Sequence, residues 1–69
     1  MRNEILIATR KNLRKTQAQI AKEIGLTEVA YRNYERGTRT PSAPTGNSIA
    51  RALGTTSEKL FGYKNTTKV

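Results

Sequence analysis

Between Glu28 and Arg36 the chain carries a carboxylate, a valine, two guanidiniums and a carboxamide. These are Glu28, Val29, Arg32, Asn33 and Arg36, spaced so that a helix would set them along one side. Such groups can meet base edges in a DNA major groove. Arginine donates to guanine, asparagine pairs with adenine, a carboxylate accepts from the cytosine amino group, and a small apolar side chain meets the thymine methyl. A solvated helix face can have the same composition, and these five residues alone leave both readings open.

Other chemistry has little to work with. The 69 residues include no cysteine and no histidine, which excludes a disulfide framework, a thiolate nucleophile, an imidazole base and a cysteine/histidine zinc site. No metal, cofactor or enzymatic activity is therefore expected. Thirteen Lys and Arg against five Asp and Glu give a net charge of +8, which favours a polyanionic partner, either nucleic acid or an anionic membrane surface. The longest apolar run, Ile5 to Ala8, is far too short to cross a bilayer, and no secretory signal pattern precedes it. A cytoplasmic protein is expected. The length allows one domain, in which folding buries about 60% of the unfolded chain's surface, and no internal repeat is visible.

The elements that must position the candidate face lie in Gln17 to Arg36, QAQIAKEIGLTEVAYRNYER. It splits into two short amphipathic runs joined at Gly25-Leu26-Thr27, the pattern of a helix-turn-helix. In the first run Ile20, Ala21 and Ile24 share a side with Gln17. Thr16 is placed to cap it and Gln19 to complete a capping box. Ala21 is small enough for a second helix to cross closely, and Gly25 can take the left-handed conformation that ends a helix. Thr27 is the next N-cap, with Glu28 favourably placed in the first turn. Ala30, Tyr31 and Tyr34 then form a packing side, and the candidate readers fall roughly opposite.

This stretch resembles the helix-turn-helix of the Cro and lambda-type phage repressor family, which places an alanine, a glycine and two buried branched residues where Ala21, Gly25, Tyr31 and Tyr34 stand. The likeness extends over roughly residues 4 to 62. The run from Glu35 to Ser42 resembles the loop after that family's recognition helix, and Ile49 to Gly54 resembles its fourth helix. The resemblance implies an all-α, five-helix lambda-repressor-like domain over 1–62, followed by a short basic tail, 63–69, expected to be frayed. The third helix would enter the major groove and the second would lie across the backbone. It further implies base reading by Glu28, Val29, Arg32 and Asn33, and backbone contacts from Gln17, Thr27, Arg36, Thr38, Arg39 and Thr40. Arg10 would pair with Glu35, because a half-buried arginine needs a partner.

The flanking elements follow from spacing and punctuation. Asn3 can cap a first helix running to about Leu13, with Leu6 and Leu13 on its buried side and Ile5 and Ile7 flanking. Arg14 and Lys15 stand where the resembled family often has a glycine and an apolar residue, so Leu13 is expected to supply the missing contact. Pro44 and Gly46 read as breakers, and the fourth helix is expected to start near Asn47. Thr56 caps a final short helix whose Leu60 and Phe61 are expected in the core or in a dimer contact.

These readings converge on a sequence-specific regulator of transcription that binds double-stranded DNA. The resemblance points to a phage- or prophage-type repressor acting as a homodimer on a palindromic operator in the bacterial nucleoid. The alternative is an antitoxin-like interaction module on the same scaffold. A protein-binding face would more often expose a contiguous apolar patch than two arginines and an asparagine. RNA binding is a weaker rival without an aromatic stacking platform.

Overall fold

The computed structural model describes residues 2–62, so the expected frayed tail, 63–69, lies outside the described residues. Those residues form five α-helices and no strand: α1 Glu4–Asn12, α2 Gln17–Ile24, α3 Glu28–Arg36, α4 Ala43–Leu53 and α5 Ser57–Phe61. Helices this short are marginal in isolation, and capping together with packing has to stabilise them. Asn3, Thr16, Thr27, Ser42 and Thr56 each cap the helix that follows, their side chains accepting from a backbone N–H in its first turn. At Thr16 the capping box is complete, with Gln19 returning a bond to the Thr16 N–H at 2.7 Å.

The turn between α2 and α3 depends on Gly25, whose φ of 76° is left-handed. A side chain there would meet open space, so the preference for glycine is set by the backbone conformation and not by crowding. The chain reverses tightly, and α2 packs directly on α3. Leu6, Ile20, Ala21, Tyr31, Ile49, Ala50, Leu53 and Leu60 form one core across all five helices, with Ile24, Leu26, Tyr34 and Phe61 partly buried against it. At about 25 cal/mol per Å2 of apolar area, this burial is the main favourable term.

Three expectations are corrected. Helix α4 begins at Ala43 and not near Asn47, because Ser42 caps it and Pro44 falls in the first turn, where a missing N–H costs nothing. Gly46 is buried inside that helix, where tertiary packing overrides its low helix propensity of about 1 kcal/mol. Leu13 supplies no core contact: α1 ends at Asn12, Leu13 is 44% exposed, and Ile7 takes the buried place beside Leu6.

Asn3 does more than cap. Its Oδ1 accepts from Leu6 N at 3.0 Å, its Nδ2 donates to Leu60 O at 2.7 Å, and its backbone N–H donates to Glu35 O at 2.8 Å. One residue thus ties α1 to α5 and to the end of α3.

Candidate nucleic-acid interface

Helix α3 presents one side and is held by the other. Glu28, Val29 and Arg36 are exposed, Arg32 and Asn33 are half-buried, and Tyr31 and Glu35 are buried beneath them. Glu28 and Arg32, one turn apart, pair at 3.2 Å on the surface. Two of the candidate readers thus neutralise each other in the free protein.

Beneath them sits a network centred on Glu35. Arg10 grips the carboxylate with two bonds, Nε to Oε2 at 2.6 Å and Nη2 to Oε1 at 3.2 Å, the fork geometry that makes arginine–carboxylate pairs strong. Arg10 Nη1 also donates to Lys15 O at 2.8 Å, and Gln17 Nε2 donates to Glu35 Oε1 at 2.9 Å. Helices α1, α2 and α3 therefore meet on one buried charge. Burial pushes the Glu35 carboxyl up, but the bonds from Arg10 and Gln17 outweigh it and hold the group below the usual glutamate value. The same bond to Glu35 raises the pKa of Arg10. The Tyr31 hydroxyl lies beside this pair, buried and without a hydrogen-bond partner among the described residues. Burial, reinforced by the Glu35 charge, raises its pKa far above the usual tyrosine value, so it stays neutral.

The candidate backbone contacts divide by what they have left to give. The Gln17 amide spends one N–H on Glu35 and retains a second, so a phosphate touching Gln17 would meet a side chain already oriented by the buried network. Thr27 Oγ1 accepts from Ala30 N at 3.1 Å and keeps its hydroxyl hydrogen. Thr38 differs. Its N–H and its hydroxyl both donate to Asn33 O, at 3.1 and 3.2 Å, so neither donor is free for a phosphate. Arg39 and Thr40 are exposed in the loop that follows. Glu4 and Glu23 pair with Arg2 and Lys15, and among the described residues no carboxylate lies in ion-pair range of Arg36 or Arg39.

Besides the commitment of Thr38 to Asn33 O, two bonds of the buried network escaped the sequence reading. The Gln17–Glu35 bond joins residues 18 apart in sequence and left no periodic signal. The third bond of Arg10, to the Lys15 carbonyl, involves backbone that no side-chain pattern reports. No helix among the described residues is long and apolar enough to cross a membrane.

Five short helices on one core, with the second and third joined at a left-handed glycine and the third held from below by a buried ion pair, define a lambda-repressor-like helix-turn-helix domain. A family model described as helix-turn-helix matches residues 6–60, and the chain belongs to that family, the Cro/C1-type helix-turn-helix proteins. The cryptic phage CTXphi transcriptional repressor RstR of Vibrio cholerae serotype O1 (strain ATCC 39315 / El Tor Inaba N16961) is 41% identical over 59 residues. The match covers 86% of this chain and 53% of the relative, so the chain spans about half the length of that curated protein. No solved structure matches the chain.

Proposed function

We propose that this domain reads double-stranded DNA by sequence and represses transcription by occupying an operator. The observation that carries the reading is the α3 surface, where Glu28, Val29, Arg32 and Asn33 stand over a helix anchored by Glu35. A buried support beneath solvent-facing side chains suits base recognition, because the support sets register and the side chains test identity. Gln17, Thr27, Arg36, Arg39 and Thr40 then hold phosphates on either side. Thr38 supports them by fixing the start of the loop against Asn33 O. The similarity to a phage repressor favours repression, and the protein would act at the nucleoid, in the bacterial cytoplasm.

One short helix reads only a few base pairs, so operator-level specificity calls for two copies on an approximately palindromic site, with half-sites about one helical turn (34 Å) apart. An antitoxin-like role has less support. Among the described residues the exposed large apolar side chains, Ile5, Leu13 and Val29, are scattered over α1, its C-cap and α3, and scattered residues do not make a docking patch.

The test is a band-shift series with duplex DNA, single strands and RNA at several salt concentrations, followed by footprinting on selected duplex sites. Duplex should win, with affinity falling steeply as salt rises, by about 0.9 log units per log unit of salt for each phosphate neutralised. Preference for RNA or a flat salt dependence would overturn the reading. A lone half-site at saturation would remove the dimer.

A further inference from the structure

Four of the five helices end on a glycine in the left-handed region, Gly25, Gly37, Gly54 and Gly62. The exit from α1 uses Arg14 instead, with φ 58°, the one described non-glycine residue with positive φ. Glycine takes this conformation without penalty, whereas a residue with a Cβ is strained there. Nothing in the turn rewards the arginine side chain. Its backbone N–H donates to Lys11 O at 2.9 Å, a bond any residue but proline would make, and among the described residues no carboxylate pairs with Arg14 or Lys11.

The surroundings supply a use for it. Arg14 lines an open groove with Lys11, Lys15, Gln17 and Glu28, so the end of α1, the start of α2 and the first residue of α3 share one surface. Lys15 is neutralised by Glu23 at 2.7 Å, so Lys11 and Arg14 are the cations of that groove that pair with no carboxylate among the described residues. Arg36 and Arg39 serve the opposite end of α3, and its beginning carries Glu28, which Arg32 neutralises in the free protein and which repels phosphate once Arg32 turns to a base.

We propose that Arg14, assisted by Lys11, holds a DNA backbone phosphate at the α1–α2 turn, and that this contact is why an arginine occupies a left-handed position suited to glycine. The phosphate belongs to the strand that passes the N-terminal end of α3, so the contact clamps the duplex on the side away from Arg36 and Arg39. It offsets the repulsion from Glu28 and leaves that carboxylate free to accept from a base. The inference rests on the duplex-DNA reading above.

The experiment compares wild type, Arg14→Gly, Arg14→Lys and, as a control on a remote part of α4, Arg51→Ala. Each is measured for melting temperature and for binding to labelled duplexes of selected and random sequence across a salt series. Arg14→Gly should melt about 4 °C higher, as relief of the left-handed strain predicts, so weaker binding cannot be attributed to unfolding. Its salt slope should shrink by about 0.9, with the same fold loss of affinity on both duplexes. Arg14→Lys should keep the wild-type slope, and Arg51→Ala should change it less than Arg14→Gly does. A wild-type slope in Arg14→Gly, or an equal loss in Arg51→Ala, overturns the clamp and leaves the DNA reading intact. Wild-type protein whose duplex binding ignores salt overturns the DNA reading, and the clamp with it.

Discussion

Glu28 and Glu35 are the same residue on the same helix, seven positions apart, which is two turns with a drift of only about 20°. Each pairs with an arginine. Yet the Glu35 and Arg10 side chains are 3% and 11% exposed, whereas those of Glu28 and Arg32 are 47% and 42% exposed. Position along the axis makes the difference. Glu35 lies where α1 and α2 cross α3, and Glu28 stands at the open first turn. Angular periodicity tells which way a side chain points, but whether a neighbour stands over that point is a property of the fold. One pair can therefore be structural and the other available for recognition.

The largest predicted effect is at the buried end. Removing Arg10 leaves Glu35 as an uncompensated charge at low dielectric, and Arg10→Ala should cost about 3–5 kcal/mol, a large share of what a domain of this size has. Arg10→Ala/Glu35→Ala together should cost clearly less than the sum of the singles, because the double variant leaves no orphaned charge. Urea unfolding of the cycle measures the coupling. Additivity within about 0.5 kcal/mol would mean that the pair, despite its 2.6 Å contact, does not hold the helices.

At the exposed end the cost should move from folding to binding. Arg32→Ala and Asn33→Ala should each lose about 1–3 kcal/mol of affinity on a selected operator and little on random duplex, the signature of a lost base contact. Their melting temperatures should stay near wild type. The Glu28–Arg32 pair opposes this only weakly, since exposed pairs at this helical spacing are worth about 0.3–0.5 kcal/mol, and a guanine can outbid the carboxylate. Equal losses on operator and random DNA would reassign both residues to backbone contacts.

The sequence shows the caps and the turn plainly, because capping chemistry is local: Thr16 with Gln19, Gly25 and Thr27 all act within four residues of where they stand. The helix-turn-helix was legible for that reason, and the family likeness extended it to five helices. What stayed hidden was non-local or read backwards. Asn3 reaches Leu60 across 57 residues, and nothing in its neighbours announces it. Pro44 and Gly46 have breaker chemistry, but Ser42 places the proline in the first turn, where the same chemistry starts a helix. Leu13 had the right angle and lay past the last residue of α1. In the candidate site, the types and spacing of the candidate readers on α3 were visible, whereas the commitment of Gln17 to Glu35 and of both Thr38 donors to Asn33 O was not.

The buried pair should also leave a mark on acid stability. Glu35 has a folded pKa below its ordinary 4.5, so the unfolded state takes up the proton first as pH falls. Its contribution should be fully present above pH 4.5, shrink below it, and vanish once the pH has dropped through the folded value. Wild type and Glu35→Gln should therefore differ by a constant amount from neutrality down to about pH 5 and converge in stronger acid. A gap that is already closing between pH 7 and 6 would place the titrating group elsewhere.

The smallest effect on stability is expected at Glu28, and it separates the two glutamates most sharply. Glu28→Gln removes a charge from the helix N-terminus and one exposed pair, so folding should change by no more than about 0.5 kcal/mol. It also removes a repulsion towards phosphate, so random duplex should bind as well or better, and the operator's advantage over random DNA should fall. If Glu28 accepts from a cytosine, preference should relax at one base pair of each half-site and nowhere else. Selecting sites from a random library with both proteins tests this position by position. Matching preferences throughout, with a small loss of stability, would make Glu28 a helix-end charge and leave Val29, Arg32 and Asn33 as the reading set.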